Sequence, residues 1–492
     1  MMPHRPNIVL INPDQWRAHV MGHLGNSAAH TPNLDQMVAT EAVSFRNAFC
    51  QNPVCTPSRC SFMTGWYPHV RGHRTMFHML QPDEPVLLKR LKNSGYFVWW
   101  GGKNDLVPAQ YGYEPFCNIK YNPSPPPAPY FHSDRMDQWR GSPQEDRYYS
   151  FYAGKLDASE DMDIYYDPDW AWILGAIDFI YQAPHDQPFC IYLPILYPHP
   201  PYGVEEPWYS LIDRHSLPPP LPVPDWTKKP SILKGIFENQ RLQNLDETFW
   251  NELRAVYYGM CARVDHQIGL LIEALKKTGN YDNTAIFVFS DHGDFTGDYG
   301  LVEKNQNTFE DCLTRVPFII KPPASIPCQP GVRDALVELI DLTATVEDLA
   351  GLRKEYDHFG HSLLPILEGK TDHHRDAVFC EGGRRHEEWQ CNESDSLPDL
   401  NKENLYYPRL VLQRSDGPEH TRAVMVRTHR YKYVMRLYEL DELYDLKQDP
   451  GELYNRIDDP QMADILAMLK DRLLRFFLET SDVVSYTIDR RQ

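Results

Sequence analysis

Long apolar runs are missing from this chain. No stretch of the 492 residues approaches the ~20 consecutive apolar positions of a membrane-spanning helix, so no membrane partner is expected. Basic residues are scarce beside acidic ones, 49 Lys and Arg against 68 Asp and Glu, for a net charge of −19. That balance disfavours a nucleic-acid partner, whose backbone is gripped by clustered cations. It also means that any chemistry on an anion needs positive charge gathered locally. Paired Cys-x-x-Cys motifs are absent. The ten cysteines lie scattered, and the even spacing of Cys50, Cys55 and Cys60 matches no zinc pattern. All but Cys55 read as buried or free thiols. The opening residues MMPHRPNIVLIN show no basic segment followed by an apolar one and a small-residue cleavage site. With the unpaired cysteines, this gives a cytoplasmic expectation.

What is present is an ordinary globular composition, 42% hydrophobic and 24% charged, on a chain long enough for two or three domains. Four short runs read as fully buried strands: Asn7–Asn12, Gly95–Trp100, Pro188–Pro198 and Ala285–Ser290. Helical patterns fall between them. One starts at Thr31-Pro32-Asn33 and is expected to run to about Val43. Others cover Glu84–Asn93, Trp170–Ala183 and Thr248–Lys277. Strands alternating with helices predict an α/β fold, a mostly parallel mixed sheet sandwiched by helices. After about residue 375 the pattern changes to alternating strands near 422–427 and 431–437 and a terminal helix near 460–479. The chain therefore divides into 1–375 and a smaller α+β region, 376–492. Segments 117–170 and 200–235, rich in Pro and aromatics, and 381–408, charged and polar, read as loops or insertions.

In open α/β sheets ligands sit beyond the carboxyl ends of strands, and each buried run here ends in polar residues. The first closes on Asp14 and Gln15, the second on Lys103, Asn104 and Asp105, the third on His199, the fourth on Asp291 and His292. Singly, each has an ordinary explanation: a turn-capping Asp, a solvated Lys, a structural His. Together Asp14, Gln15, Asp291 and His292 offer two carboxylates, an amide oxygen and an imidazole. That mainly hard donor set suits Ca²⁺, Mg²⁺ or Mn²⁺. Asp265 and His266, inside a helical pattern, read as structural.

Between the first two runs lies NPVCTPSRCSFMTGWYPH, containing Cys55-Thr56-Pro57-Ser58-Arg59. C-x-P-S-R followed by a T-G run resembles the signature of the sulfatases, within the alkaline-phosphatase-like superfamily. The S-D-H-G run at Ser290–Gly293, Lys304 in GLVEKNQNTFEDCLTRVP, and DELYDLKQDPGELYN near the C-terminus strengthen the resemblance. It implies that Cys55 is oxidised by a maturation enzyme to formylglycine, whose hydrated aldehyde attacks the sulfate ester. It implies a metal, usually Ca²⁺, held by Asp14, Gln15, Asp291, His292 and the oxygen of residue 55. Arg59, Lys103 and Lys304 would supply positive charge, and His199 would protonate the leaving oxygen. One departure stands out: the family's G-K-x-H has Asp105 in place of the histidine. Asp105 is expected either to pair with Lys103 or to receive a cationic substrate group.

The predicted activity is hydrolysis of an organic sulfate monoester, a carbohydrate sulfate being the first expectation. Two rivals stay open: a phosphonate monoester or phosphodiester hydrolase on the same residues, and a non-catalytic relative that only binds.

Overall fold

Val9 and Ile11 pack on one side of the strand that begins the chain, Ile8 and Leu10 on the other, and all four are buried. An apolar run covered on both faces belongs in the middle of a parallel sheet. In this computed structural model, which describes residues 5–124, 139–157, 164–393, 401–414, 417–486, 488 and 490–491, that is where it lies. The strand, β1 (Asn7–Asp14), is flanked in parallel by β6 (Phe189–Pro198) and β8 (Thr284–Phe289). The other strands of this sheet are β2 (Val43–Phe49), β3 (Phe97–Trp100), β4 (Ile119–Lys120), β9 (Arg315–Val316), β10 (Phe318–Lys321) and β11 (Gly331–Glu338). Their order is β11-β2-β10-β8-β1-β6-β3-β4, with β9 on β2. Only β9 and β10 run against their neighbours.

One face is covered by helices Pro32–Thr40, Pro168–Gln182 and Glu247–Lys277, through residues such as Leu34, Ile173, Val264 and Ile268. The other is covered by Cys55–Thr64, Leu87–Asn93 and Asp341–Ala350, through Phe62, Leu88, Leu91 and Val346. Asp265, structural as read, accepts from the Asn33 and Leu34 N–H groups at 3.1 and 2.9 Å and so caps the first of these helices.

A four-stranded antiparallel sheet follows, β12 (Val378–Gly382), β13 (Ala423–Arg427), β14 (Tyr431–Arg436) and β15 (Glu442–Asp445). The terminal helix Ala463–Thr480 lays Leu469, Leu473 and Phe476 on Phe379, Val426 and Tyr433. Phe379 and Phe476 stack with ring centroids 4.0 Å apart.

The structure corrects two expectations. The first helix stops at Thr40, and Val43 opens β2. The supposed loops hold structure: β5 (Tyr152–Lys155) pairs with β7 (Tyr202–Val204), and Ser231–Asn239 and Tyr407–Gln413 are helices. Parts of the loop segments, 125–138, 158–163 and 394–400, lie outside the described residues.

Candidate active site

The sheet direction places the carboxyl ends of β1, β2, β3, β6 and β8 on one edge, and the chain delivers its polar side chains there. After β2 the backbone runs to Val54, whose N–H donates to Asn52 Oδ1 (3.0 Å), and a helix begins at Cys55. No side chain caps that helix start. Its unpaired N–H groups and dipole therefore favour negative charge beside residue 55. Arg59 follows one turn later on the same face.

Asp14, Cys55, Asp291 and His292 converge. Their ligand atoms all lie within 4.8 Å of one another, and all four residues are buried. Cys55 Sγ is 3.3 Å from His292 Nε2 and 3.6 Å from Asp14 Oδ1. Arg59, also buried, spans the two carboxylates, donating from Nε to Asp291 (2.8 Å) and from Nη2 to Asp14 (3.0 Å). His292 donates from Nδ1 to the Gly293 carbonyl (3.0 Å), which leaves the Nε2 lone pair turned toward Cys55 and Asp14. An imidazole held in that tautomer by a backbone carbonyl is one prepared to ligate a metal. Gln15 sits at φ 69°. Its amide nitrogen donates to Asp294 (2.5 Å), so the amide oxygen is turned to Lys304 Nζ, 2.7 Å away. Donor types, burial and tautomer together fit a hard divalent cation.

The serines of the two motifs have plain work. Ser58 Oγ donates to the Asp291 carbonyl (2.6 Å), and Ser290 Oγ accepts from Trp16 N–H (2.7 Å), tying the ends of β1 and β8 to the helix. Glycine is needed at 293 because a Cβ there would lie 2.0 Å from the Cys312 carbonyl oxygen.

Lys103 follows a tight turn. Gly102 has φ 77°, and a Cβ on it would stand 2.0 Å from the Pro194 carbonyl oxygen. Lys103 Nζ contacts the Asp14 carboxylate, lies 2.7 Å from Asp105 Oδ2 and 4.0 Å from Cys55 Sγ. Of the two fates expected for Asp105, pairing with Lys103 is the one seen. Burial would raise its pKa, but Lys103 and Arg59 outweigh burial and hold it below the usual range. Burial likewise opposes ionisation of Asp14, yet Lys103, His199, Arg59 and His292 keep it well below the carboxylate range. Burial and the Asp14 charge push the Cys55 thiol up, so the unmodified side chain is a poor nucleophile at neutral pH.

His199 donates from Nδ1 to the Pro200 carbonyl (2.6 Å). Burial, with Lys304 and Lys103 nearby, lowers its pKa to about 3. Lys304 is also held by Glu303 Oε1 (2.8 Å).

Lys103, Asp105, His199 and Lys304 line a cavity of about 480 Å³ that reaches Cys55. The sequence reading missed several of its features. Glu303 is clamped between Lys304 and Arg409, and Arg409 also donates to the Val302 carbonyl (3.1 Å). Tyr406 and Gln413 also reach in from the C-terminal part, and Met76, Phe77 and Met79 form an apolar wall. Glu303 stands beside Lys304 in the GLVEKNQ run but was given no role, and the others belong to no motif, so no sequence signal marked them. Asp294 directly follows the S-D-H-G run, but its hold on Gln15 is visible only in three dimensions. Of the three segments read as loops or insertions, 381–408 contributes Glu393, Asn404 and Tyr406, whereas no described lining residue comes from 117–170 or 200–235.

A protein-family model described as Sulfatase matches residues 6–352, and one described as N-sulphoglucosamine sulphohydrolase, C-terminal, matches residues 397–478. An arylsulfatase of Clostridium perfringens is 26% identical, the match covering 96% of this chain and 94% of the relative. A choline-sulfatase of Rhizobium meliloti is also 26% identical, over 94% and 84%. Among solved structures, the phosphonate monoester hydrolase of Agrobacterium radiobacter superposes with a TM-score of 0.74 at 22% identity, covering 98% of this chain and 100% of that one.

Proposed function

The chain belongs to the sulfatase family of sulfuric ester hydrolases, and from that premise we propose that it hydrolyses the sulfate monoester of a compact, mainly apolar alcohol, using Cys55 after its conversion to formylglycine. The observation that carries this reading is the convergence of Asp14, Cys55, Asp291 and His292 around Arg59, opening onto a cavity with Lys103, His199 and Lys304.

Asp14, Asp291, His292, the Gln15 amide oxygen and residue 55 would hold a divalent cation, Ca²⁺ by family habit, with Mn²⁺ or Mg²⁺ suiting the same donors. Such a cation supplies charge that acidifies a nearby hydroxyl and offsets an anionic substrate, and formylglycine supplies that hydroxyl in its hydrated form. The protein's own groups do the rest. Lys103 and Lys304 hold the sulfate oxygens from two sides, and the Cys55–Thr64 helix start adds N–H donors. The ester's charge between the lysines opposes the field that keeps His199 neutral. The ring then takes up at Nε2 the proton released by the attacking hydroxyl of hydrated residue 55, its Nδ1 staying on Pro200, and delivers it to the alcohol oxygen as the ester S–O bond breaks. Asp105, paired with Lys103, steadies that lysine.

The alcohol is read from the cavity wall. Polar side chains such as Asn305, Asn404 and Gln413 also line the cavity, but most of its exposed surface is apolar, and Val54, Met76, Phe77, Met79, Leu196 and Leu410 offer no side-chain hydrogen bond to a ring of hydroxyls. An aromatic or branched aliphatic alcohol therefore suits the wall better than the saccharide first expected.

The same donors would receive a phosphonate monoester or phosphodiester, so the test pairs substrates. Protein co-produced with a formylglycine-generating enzyme should carry the aldehyde at residue 55 by mass spectrometry. It should cleave an aryl sulfate faster than the matching aryl phosphonate and faster than a monosaccharide sulfate, and lose activity on chelation. A fully unmodified thiol with no turnover would sink the catalytic reading. Faster phosphonate cleavage would replace the substrate class.

A further inference from the structure

A second group of cations gathers around His19, in clefts that share no lining residue with the cavity above. Two clefts, of about 390 and 220 Å³, have His19, Pro218 and Arg315 in common. Three arginines reach the inner one from separate elements: Arg17 after β1, Arg254 on the Glu247–Lys277 helix, and Arg315 on β9. Arg46 lines the outer one but is paired with Asp334 at 2.9 Å.

The carboxylates of the inner cleft are already engaged. Asp298 is held by Arg17 and by the Leu221 N–H (2.9 Å). Asp311 takes Arg427 (3.0 Å) and Lys432 (2.6 Å), and Glu452 takes Lys432 (2.5 Å) and the Asp311 N–H (2.7 Å). Arg254 is left over. It is 2% exposed, it meets the Tyr258 hydroxyl, and its Nε and Nη1 have no partner. Arg315 Nε is likewise buried without one. Neither arginine forms an ion pair among the described residues. His19 accepts from Arg17 Nε at Nδ1 (2.8 Å), so its ring hydrogen sits on Nε2 as one more donor. Burial and the charges of Arg17, Arg315 and Arg254 keep that ring neutral.

Asp298 faces Arg254, and Asp311 and Glu452 face Arg315, but each of these carboxylates is committed to another cation. A buried guanidinium left without a direct partner destabilises a fold unless something supplies one. Several N–H donors converging from different directions match the oxygens of a tetrahedral anion better than the two of a carboxylate. We propose that this cleft is a second anion site, binding phosphate or sulfate, free or at the end of a small molecule, through Arg254, Arg315 and His19.

The test is a thermal melt of the whole chain titrated with inorganic phosphate, with acetate as the charge control. The wild type should show a saturable rise in melting temperature with phosphate and little with acetate. Lys304→Ala, altered only in the catalytic cavity, should keep the rise. Arg254→Met and Arg315→Gln should lose it. In phosphate-free buffer Arg254→Met should melt about 2 °C or more above the wild type, because it removes an unpaired buried charge. A rise that persists in both arginine variants and vanishes in Lys304→Ala would assign phosphate to the catalytic cavity and overturn the proposal. So would the absence of any saturable rise in the wild type. Arg315→Gln, at a partly exposed position, carries the test if Arg254→Met does not fold.

Discussion

Arg59 has no solvent contact and stands between two carboxylates drawn from distant parts of the sequence, Asp14 and Asp291. Removing a buried charge while its partners stay is far costlier than never having had the group, because the survivors lose their counter-ion without regaining water. Arg59→Met should therefore destabilise the fold by about 3–5 kcal/mol, read from urea unfolding of metal-free protein. A loss near zero would mean that Asp14 and Asp291 are neutralised by other means. At this scale the sequence was readable where a motif fixed identity. Asp14, Gln15, Cys55, Arg59, Lys103, Asp105, His199, Asp291, His292 and Lys304 were all singled out, and the structure gathers them at one sheet edge. Glu303 and Arg409 were not readable, because their ion pair joins positions more than a hundred residues apart with nothing local to mark either.

Among the elements, the turn after β3 shows how backbone geometry serves a side chain. Gly102 lets the chain pass beneath the Pro194 carbonyl at a positive φ and delivers Lys103 to Asp14 and Asp105. Gly102→Ala should cost about 1–3 kcal/mol in strain. By displacing Lys103 it should also lower kcat/KM about a hundredfold, far more than the change in stability would suggest. Unchanged kinetics would show that Lys103 need not be so placed. The strands that carry the site were legible because β1, β3, β6 and β8 are covered on both faces and read as unbroken apolar runs. β2 was missed because Arg46 and Asn47 interrupt it. The Ala39–Ala42 stretch before it has ordinary helix formers, and only pairing with β10 and β11 turns Val43 and Ser44 into a strand.

Across the whole molecule, Glu381 is the clasp between the short helix Pro68–Arg71, which follows the Cys55–Thr64 helix, and the C-terminal sheet. It lies on β12, accepts from the His69 backbone N–H (2.9 Å) and from His69 Nδ1 (2.7 Å), and pairs with Arg422. His69 in turn contacts the Thr480 carbonyl at 2.9 Å, at the end of the terminal helix. Burial works against the carboxylate, but Arg422 and His69 prevail and bring its pKa from 4.5 to about 2. A pKa lowered on folding stabilises the native state above the unfolded value and loses that contribution as pH falls toward the folded one. Glu381 should thus contribute on the order of 3 kcal/mol at neutral pH, fading between about pH 5 and 2. Melting curves against pH should show a shallower acid decline for Glu381→Gln than for the wild type. Parallel declines would place the acid sensitivity elsewhere.

The charge balance has a kinetic consequence. A body carrying −19 overall keeps Lys103 and Lys304 within a cavity, with Arg59 buried beyond its wall, so an approaching anion meets repulsion before it meets attraction. Dissolved ions shorten the reach of the outer field to about 8 Å at physiological strength while screening the enclosed contacts less. Moderate salt should then quicken capture of a sulfate ester, seen as kcat/KM rising with added KCl at constant kcat. A monotonic fall would mean that the cavity's own field already extends beyond its mouth.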